Sequence, residues 1–313
     1  MRHSDRTPPV LVPHLVRFRV VLSLCVLVIF SRPIAAQRPL KVYISADMEG
    51  IAGIVSDNSL GPSGFDYANA RELMTGEVLA AIDGARDAGA TAIVVSDSHG
   101  NGENILIAKL PPDVTLVRGW PRPLMMMQGI DSTFDAAVFI GYHASTTNPA
   151  GVRAHTISSA TFSSVKLNGT AVPEAGINAA IAGQFGVPIV AVSGDNVAVA
   201  EMQALLGAVE GAAVKQAISF HAAASLTPAA SQKLIREKVK AGIARRRDFK
   251  PYAIKTPVQL DISLKSYRPA ELLAYLPIVQ RIDSHTIRYT GQTMTEVSKF
   301  IEFITNYEPG LLP

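Results

Sequence analysis

The sequence predicts an α/β fold, a mixed and mainly parallel sheet with helices on both faces, followed by a smaller α+β C-terminal part. Short β-branched runs alternate with longer amphipathic stretches from residue 39 onward, a pattern typical of strands and helices in α/β proteins. The chain has 313 residues, of which 48% are hydrophobic and 18% charged. That composition is sufficient for a large, ordered core.

Strands dominate the first half of this pattern. Five β-branched runs predict buried strands at 42–45, 91–96, 114–117, 136–140 and 188–193. Helical spacing predicts helices at 67–88, ending before Gly89 as a stop signal, and at 173–184. Polar residues directly follow several of the strands. In open α/β sheets such positions gather in one crevice, so they are the first place to look for function.

The character of the sequence changes after about residue 197. Predicted helices at 198–206, 231–246 and 293–306 alternate with predicted strands at 257–263 and 285–289. This half holds no comparable cluster of potential ligand residues. We therefore divide the chain into an N-terminal segment 1–36, an α/β domain 37–205 that holds the candidate site, and an α+β part 206–313.

The N-terminal segment has the order of a secretory signal peptide. Two arginines precede an apolar run at 20–30, and the small residues Ala35 and Ala36 follow it. The run is roughly eleven residues, shorter than the about twenty that span a bilayer. We expect cleavage near Ala36 and export to the periplasm or the exterior, with an uncleaved anchor as the alternative. The only cysteine, Cys25, lies in this segment, so the mature chain would have no disulfide.

Charge and glycine patterns argue against two classes of protein. The net charge of +3 is mild, and several basic residues belong to the N-terminal segment, so no nucleic-acid interface is indicated. The basic run 245–247 is typical of a solvated helix end. The glycines at 50 and 53 lack the spacing of a dinucleotide-binding loop and more simply let the backbone pass close to a site.

Imidazole and carboxylate side chains cluster at the predicted strand ends and at one helix start. They are Asp47, Glu49, Asp97, His99, His143 and Glu174. Each alone has an ordinary explanation as a helix cap or a loop residue. Their coincidence indicates a metal site, because zinc takes imidazole and carboxylate ligands and a pair of ions needs a carboxylate that reaches both. Asp47 is the natural bridge.

Five ordered segments resemble the motifs of the bacterial D-aminopeptidase family, older members of which were labelled dipeptide transport proteins. They are SADMEGIAG at 45–53, SDSH at 96–99, GYHA at 141–144, His155, and EAGINA at 174–179. The resemblance runs from about residue 40 to about residue 220 and continues more weakly beyond. It implies a dinuclear zinc peptidase with an α/β fold, and a ring-built decamer whose active sites face an internal chamber.

Carried over to this sequence, the resemblance implies two zinc ions per subunit bridged by Asp47. Glu49 and His99 would complete one zinc site, and His143 and Glu174 the other. All five positions hold the residue types of the family.

His155 corresponds to the family's proposed catalytic histidine, which is not a ligand. It would serve as a general acid or as a donor to the oxyanion, with a structural loop histidine as the alternative. We expect Asp97 to fix a ligand imidazole or the loop around it. His221 and His285 are expected to be structural. The methionines at 125–127 favour core packing over a substrate pocket or a subunit contact.

Together these features predict an exported dinuclear zinc aminopeptidase that removes the N-terminal residue of short peptides, with D-amino acids preferred, by metal-activated water. An L- or β-peptide-selective enzyme would have the same five ligands. A peptide-binding transport component without catalysis is a further alternative. A dinuclear phosphoesterase is another, but it would be expected to have more arginine or lysine near the ligand motifs, where only Arg153 lies. The expected partners are a short peptide and copies of the chain, without nucleic acid or stable membrane insertion after signal cleavage.

Overall fold

A computed structural model describes residues 1, 3, 7–10 and 38–307, and in that part of the chain there are twelve strands and six α-helices. The strands are β1 Lys41–Ala46, β2 Ala92–Asp97, β3 Val114–Val117, β4 Ala136–Tyr142, β5 Phe162–Leu167, β6 Thr170–Ala171, β7 Ile189–Asp195, β8 Glu210–Ser219, β9 Ala222–Ser225, β10 Val258–Leu264, β11 Val279–Arg281 and β12 Thr286–Gly291. The helices are α1 Tyr67–Asp87, α2 Glu174–Gln184, α3 Asn196–Leu206, α4 Pro228–Ala244, α5 Tyr267–Leu273 and α6 Met294–Asn306.

The larger sheet has seven strands in the order β3-β2-β1-β4-β7-β8-β9. All neighbours run parallel except β8 and β9, which are antiparallel. Successive side chains of β1 point to opposite faces: Val42 and Ile44 pack with α1 and α4, whereas Tyr43 packs in the core that α2 and α3 share. The prediction of a mixed, mainly parallel sheet with helices on both faces is confirmed.

The smaller sheet has five antiparallel strands in the order β11-β12-β10-β5-β6. Helix α6 packs against β10 and β12. Strands β5 and β6 of the smaller sheet come before residue 205. Strands β8 and β9 come after it but belong to the larger sheet, against which α4 packs. Sheet membership therefore does not follow the division near residue 205, which stays a prediction.

Most of the segment predicted to be a signal peptide lies outside the described residues. Within the described part of the chain, no helix combines the length and the apolar character that a bilayer crossing requires.

The strand ends of the larger sheet place the candidate residues at one edge. Ala46, the last residue of β1, lies opposite Asp97 of β2 and Ile140 of β4. Since all three strands are parallel, the residues that follow them emerge side by side. The sheet thus brings together loops that are far apart in the sequence.

Candidate metal centre

The structure brings all five predicted ligands together at the carboxyl edge of the larger sheet. Asp47 and Glu49 follow β1, His99 follows β2, His143 follows β4, and Glu174 is the first residue of α2. All five are buried, with exposed fractions between 1% and 6%. Such a concentration of carboxylates in the interior is costly unless cations or protons compensate for it.

Two glycines allow the loops that carry Asp47 and His143 to meet. The amide of Gly50 donates to the carbonyl of Gly141 at 2.7 Å. A Cβ at Gly50 would lie 2.1 Å from the carbonyl oxygen of Tyr142, and Gly141 has a positive φ of 71°. Only glycine fits both positions, as the close backbone approach expected from the sequence requires.

His99 forms the first donor set with Glu49 and Asp47. Its Nε2 lies 2.8 Å from the carbonyl oxygen of Leu60, so Nε2 carries the proton and donates it there. Its Nδ1 lies 2.9 Å from Glu49 Oε2 and 3.2 Å from Asp47 Oδ1. In the neutral ring this nitrogen is a lone pair that faces two carboxylate oxygens. A cation between the three atoms would satisfy all of them.

His143 forms the second donor set with Glu174 and the other oxygen of Asp47. Its Nδ1 donates to the carbonyl of Ala144 at 3.1 Å. Its Nε2 lies 2.9 Å from Glu174 Oε1 and 3.3 Å from Asp47 Oδ2. The remaining oxygen of Glu174 accepts from the amide of Ile157 at 2.7 Å, whereas Asp47 Oδ2 is buried without a hydrogen-bond partner. This unsatisfied oxygen is where a second cation would fit.

The pKa shifts of the two donor sets also indicate places for cations. Burial and the charge of Glu49 raise the pKa of the Asp47 carboxyl to about 7. Burial alone would lower the pKa of His99 and His143, yet the charges of Glu49 and Glu174 beside them hold both pKa values well above the ordinary value. Protons thus take the place that cations would otherwise occupy.

The donor atoms suit zinc. Nitrogen and carboxylate oxygen are ligands that zinc accepts, and two sets of three share Asp47 as a bridge. Four ligand atoms at about 2.0 Å in a tetrahedron lie about 3.3 Å apart. The nitrogen-to-oxygen distances of 2.9 to 3.3 Å are close to that value. The residues present therefore fit a pair of zinc ions.

His155 lies against this centre. Its ring stacks on that of His143, with the centroids 3.9 Å apart and the planes 11° from parallel. Nδ1 donates to the carbonyl of Arg153 at 2.8 Å, which leaves Nε2 as the unprotonated nitrogen. Burial and the neighbouring His143 lower the pKa of His155, so the ring is neutral. A donor nitrogen of His155 also lies within 4.8 Å of donor atoms of His143 and Glu174.

Asp97 acts on the loop that carries His99 and not on the imidazole. Its carboxylate accepts from the amides of Asn104 and Ile105 at 2.6 and 2.7 Å and from the Asn104 side chain at 2.8 Å. The Asn104 side chain also donates to the carbonyl of His99 at 2.6 Å. Sequence reasoning did not single out Asn104, because an asparagine in a polar loop carries no signal of its own.

A cavity of about 330 Å³ opens over the centre. Its lining includes the apolar side chains of Trp120, Met125 and Met126, and also Glu302 of α6. Both methionines belong to the core, as expected, and both also line this cavity.

The histidines expected to be structural, His221 and His285, lie outside the metal centre. His285 is exposed and its Nδ1 lies 2.8 Å from the hydroxyl oxygen of Ser284, whereas His221 Nδ1 lies 3.3 Å from the Arg153 guanidinium. Neither lies among the candidate ligand groups of the described chain.

Comparison with known proteins gives a consistent result. The model of the peptidase M55 family, described as D-aminopeptidase, matches residues 40–303. The D-aminopeptidase of Bacillus subtilis (strain 168) is 34% identical over 261 residues, which cover 82% of this chain and 93% of that protein. The solved structure of the Zn-dependent D-aminopeptidase DppA from Bacillus subtilis, described as a self-compartmentalizing protease, superposes with a TM-score of 0.82 at 33% identity. That match covers 85% of this chain and 97% of the other.

Proposed function

The chain belongs to the D-aminopeptidase family of metallo-aminopeptidases, and from that premise we propose that it releases N-terminal D-amino acids from short peptides with two zinc ions. The proposal of two zinc ions is supported by the two donor sets that share Asp47. In each set an imidazole nitrogen faces buried carboxylate oxygens.

The ligand roles follow from these contacts. Asp47 would bridge the ions through Oδ1 and Oδ2, Glu49 and His99 would hold one ion, and His143 and Glu174 the other. When bound, such a pair lowers the pKa of water toward neutrality and polarises a peptide carbonyl. With both glutamates engaged as ligands, another group must move the proton.

His155 is the group placed to do this. The hydrogen bond from Nδ1 to the carbonyl of Arg153 fixes the ring orientation and leaves Nε2 able to accept a proton. The low pKa means that Nε2 is free at neutral pH. It would take a proton from the attacking water and give it to the leaving amine, as a general base and then a general acid.

The cavity limits the substrate. At about 330 Å³ it lies at the lower end of the range for small-molecule sites, which suits the first residues of a short peptide. Trp120 and the methionines at 125 and 126 form an apolar wall for a small side chain. The preference for D residues rests on the relatives, since the five ligands would serve either configuration.

Export and assembly belong to the same proposal. The signal-peptide order of residues 1–36 supports export, and wall-derived peptides with D residues would then be available. N-terminal sequencing of the mature protein from its host would show a start near Gln37, whereas an intact Met1 would contradict export by cleavage.

A homo-oligomer, a ring-based decamer by resemblance, is supported by the self-compartmentalizing relative. Exposed apolar side chains on this chain, Phe65, Ile218, Tyr275 and Ile278 among them, also support it. Sedimentation of the purified mature protein tests this. A monomer at micromolar concentration would refute it.

The catalytic proposal is tested by amino-acid release from D-Ala-D-Ala and L-Ala-L-Ala. We expect release from the D-peptide, loss of release with a chelator, and recovery on addition of zinc. N-acetylation of the D-peptide should abolish turnover if the free N-terminus is required. Release from the L-peptide alone would overturn the configuration, and release that survives metal removal would overturn the metal mechanism.

A further inference from the structure

The loop that carries Asp47 and Glu49 is held by a buried lysine from the second half of the chain. Lys215 of β8 is only 1% exposed. Its ammonium group donates to the carbonyls of Glu49, Ile51 and Ile54 at 2.5, 3.1 and 2.6 Å. Three donors meet three acceptors, all of them on the backbone between residues 49 and 54.

Two further side chains hold the same loop by its amides. Glu77 of α1 accepts from the amide of Ala52 at 3.0 Å, and Ser225 of β9 accepts from the amide of Gly53 at 2.7 Å. Lys215 and Ser225 lie directly opposite each other in the antiparallel pair β8–β9. The end of the larger sheet thus binds the loop through two side chains, and α1 binds it through a third.

A lysine at this position is not explained by stability alone. Burial of an ammonium group is costly, and apolar side chains of similar volume often stabilise a core at least as well. Among the residues that the structure describes, no carboxylate forms an ion pair with Lys215. The hydrogen bonds of its ammonium group are all with the loop, and the buried carboxylates of Asp195 and Glu77 act on its charge without a hydrogen bond. What this charge adds is a fixed backbone next to a metal ligand.

We propose that Lys215 is a positioning residue for the zinc site formed by Asp47, Glu49 and His99. The inference rests on the proposed function. The effect of Lys215 should be confined to this zinc site, because its ammonium group donates to the carbonyl of Glu49, a ligand of this site only. The other site shares Asp47 but also depends on His143 and Glu174, which lie after β4 and at the start of α2 and accept no hydrogen bond from the Lys215 ammonium group.

Zinc titration of the full-length protein against a chromogenic chelator tests this. For Lys215→Met, which keeps the length and removes all three donors, we expect one of the two ions to bind 10- to 100-fold more weakly, the usual effect of losing a group that orients a ligand. The other ion should bind as in the wild type. Lys215→Gln, which retains an amide donor, should restore part of the affinity.

Val239→Ala is the matched control. Val239 is a fully buried residue of α4 without polar contact with the loop, so it reports on loss of stability alone. Both ions should bind to it as to the wild type. Cobalt absorption spectra give a second readout, since the bands of only one ion should change in Lys215→Met.

Three outcomes would overturn the inference. The first is unchanged affinity in Lys215→Met, and the second is equal weakening of both ions or of both control and variant. If Lys215→Met does not fold, zinc binding is measured for Ser225→Ala, which removes the hydrogen bond to the amide of Gly53. Wild-type binding of both ions by that variant would be the third outcome that overturns the inference. A wild-type protein that binds fewer than two ions would overturn the dinuclear proposal itself, which the wild-type titration shows separately.

Discussion

Removal of the metal is expected to lower the melting temperature by an amount proportional to the number of ions bound. A ligand present at a thousand times its dissociation constant stabilises the folded state by about 4 kcal/mol. Unfolding entropy of about 2.1 cal/mol/K per residue, over roughly 270 folded residues, gives about 0.6 kcal/mol/K. Each ion therefore contributes about 7 °C, and chelation of both should lower the melting temperature by about 14 °C.

Single ligand variants divide this shift between the sites. His99→Ala removes a ligand of one site and His143→Ala a ligand of the other, so chelation should shift each variant by about half. Asp47→Ala loses the bridge and should show almost no shift. His285→Ala, at an exposed histidine outside the centre, is the control and should keep the full shift. The assay is calorimetry with and without chelator. A wild-type shift near 7 °C that vanishes in His99→Ala would refute the second site.

Three further predictions concern catalysis and geometry. His155→Ala should lower kcat by about 10²- to 10⁴-fold with two zinc ions still bound by elemental analysis, and loss of an ion would make His155 a ligand instead. Gly50→Ala should lower zinc content and activity, because its Cβ would lie 2.1 Å from the carbonyl oxygen of Tyr142; a fully loaded, active variant would contradict the tight contact. Trp120→Ala should raise kcat/KM for D-Phe relative to D-Ala at the N-terminus by enlarging the cavity, and an unchanged ratio would place the first side chain elsewhere.

Five of the seven strands of the larger sheet could be predicted because they carry a local signal, whereas β8 and β9 were not predicted. Strands buried on both faces are continuous apolar runs, and the predicted strand 42–45 matches β1 to within a residue at each end. The predicted strand 114–117 has the bounds of β3, but β3 is an edge strand without a buried residue, so the expectation that it is buried is wrong. The clustering of Asp47, His99 and His143 could be predicted for the same reason. Parallel neighbours end at one edge, so a residue that follows a strand is placed by the sheet and not by its own sequence context.

The smaller sheet was predicted only in part, because the predicted strands at 257–263 and 285–289 correspond to β10 and β12, whereas β5, β6, β11 and the supports of the site were not predicted. Strand β5 is only six residues long, its buried positions 162, 165 and 167 do not follow a regular alternation, and it pairs with β10, almost a hundred residues away. Asn104 donates to the Asp97 carboxylate and to the carbonyl of His99, and any loop asparagine could make such hydrogen bonds. Lys215 follows and precedes residues that give no functional signal, and the carbonyl of Glu49, to which its ammonium group donates, is 166 residues earlier in the chain. Such contacts exist only after the chain has folded, so residue type and spacing do not reveal them.

The metal centre therefore depends on both halves of the sequence in different ways. The first half supplies every candidate ligand, and each is identified by its chemistry and its place after a strand or at a helix start. The second half supplies Lys215, Ser225 and Glu302, which touch the ligand loop or line the cavity without offering a typical motif. Donor atoms bind a metal well only when their backbone is held in place. A division of the chain near residue 205 would separate the ligands from two of the side chains that hold their loop, and for that reason the activity belongs to the whole fold from Pro39 onward.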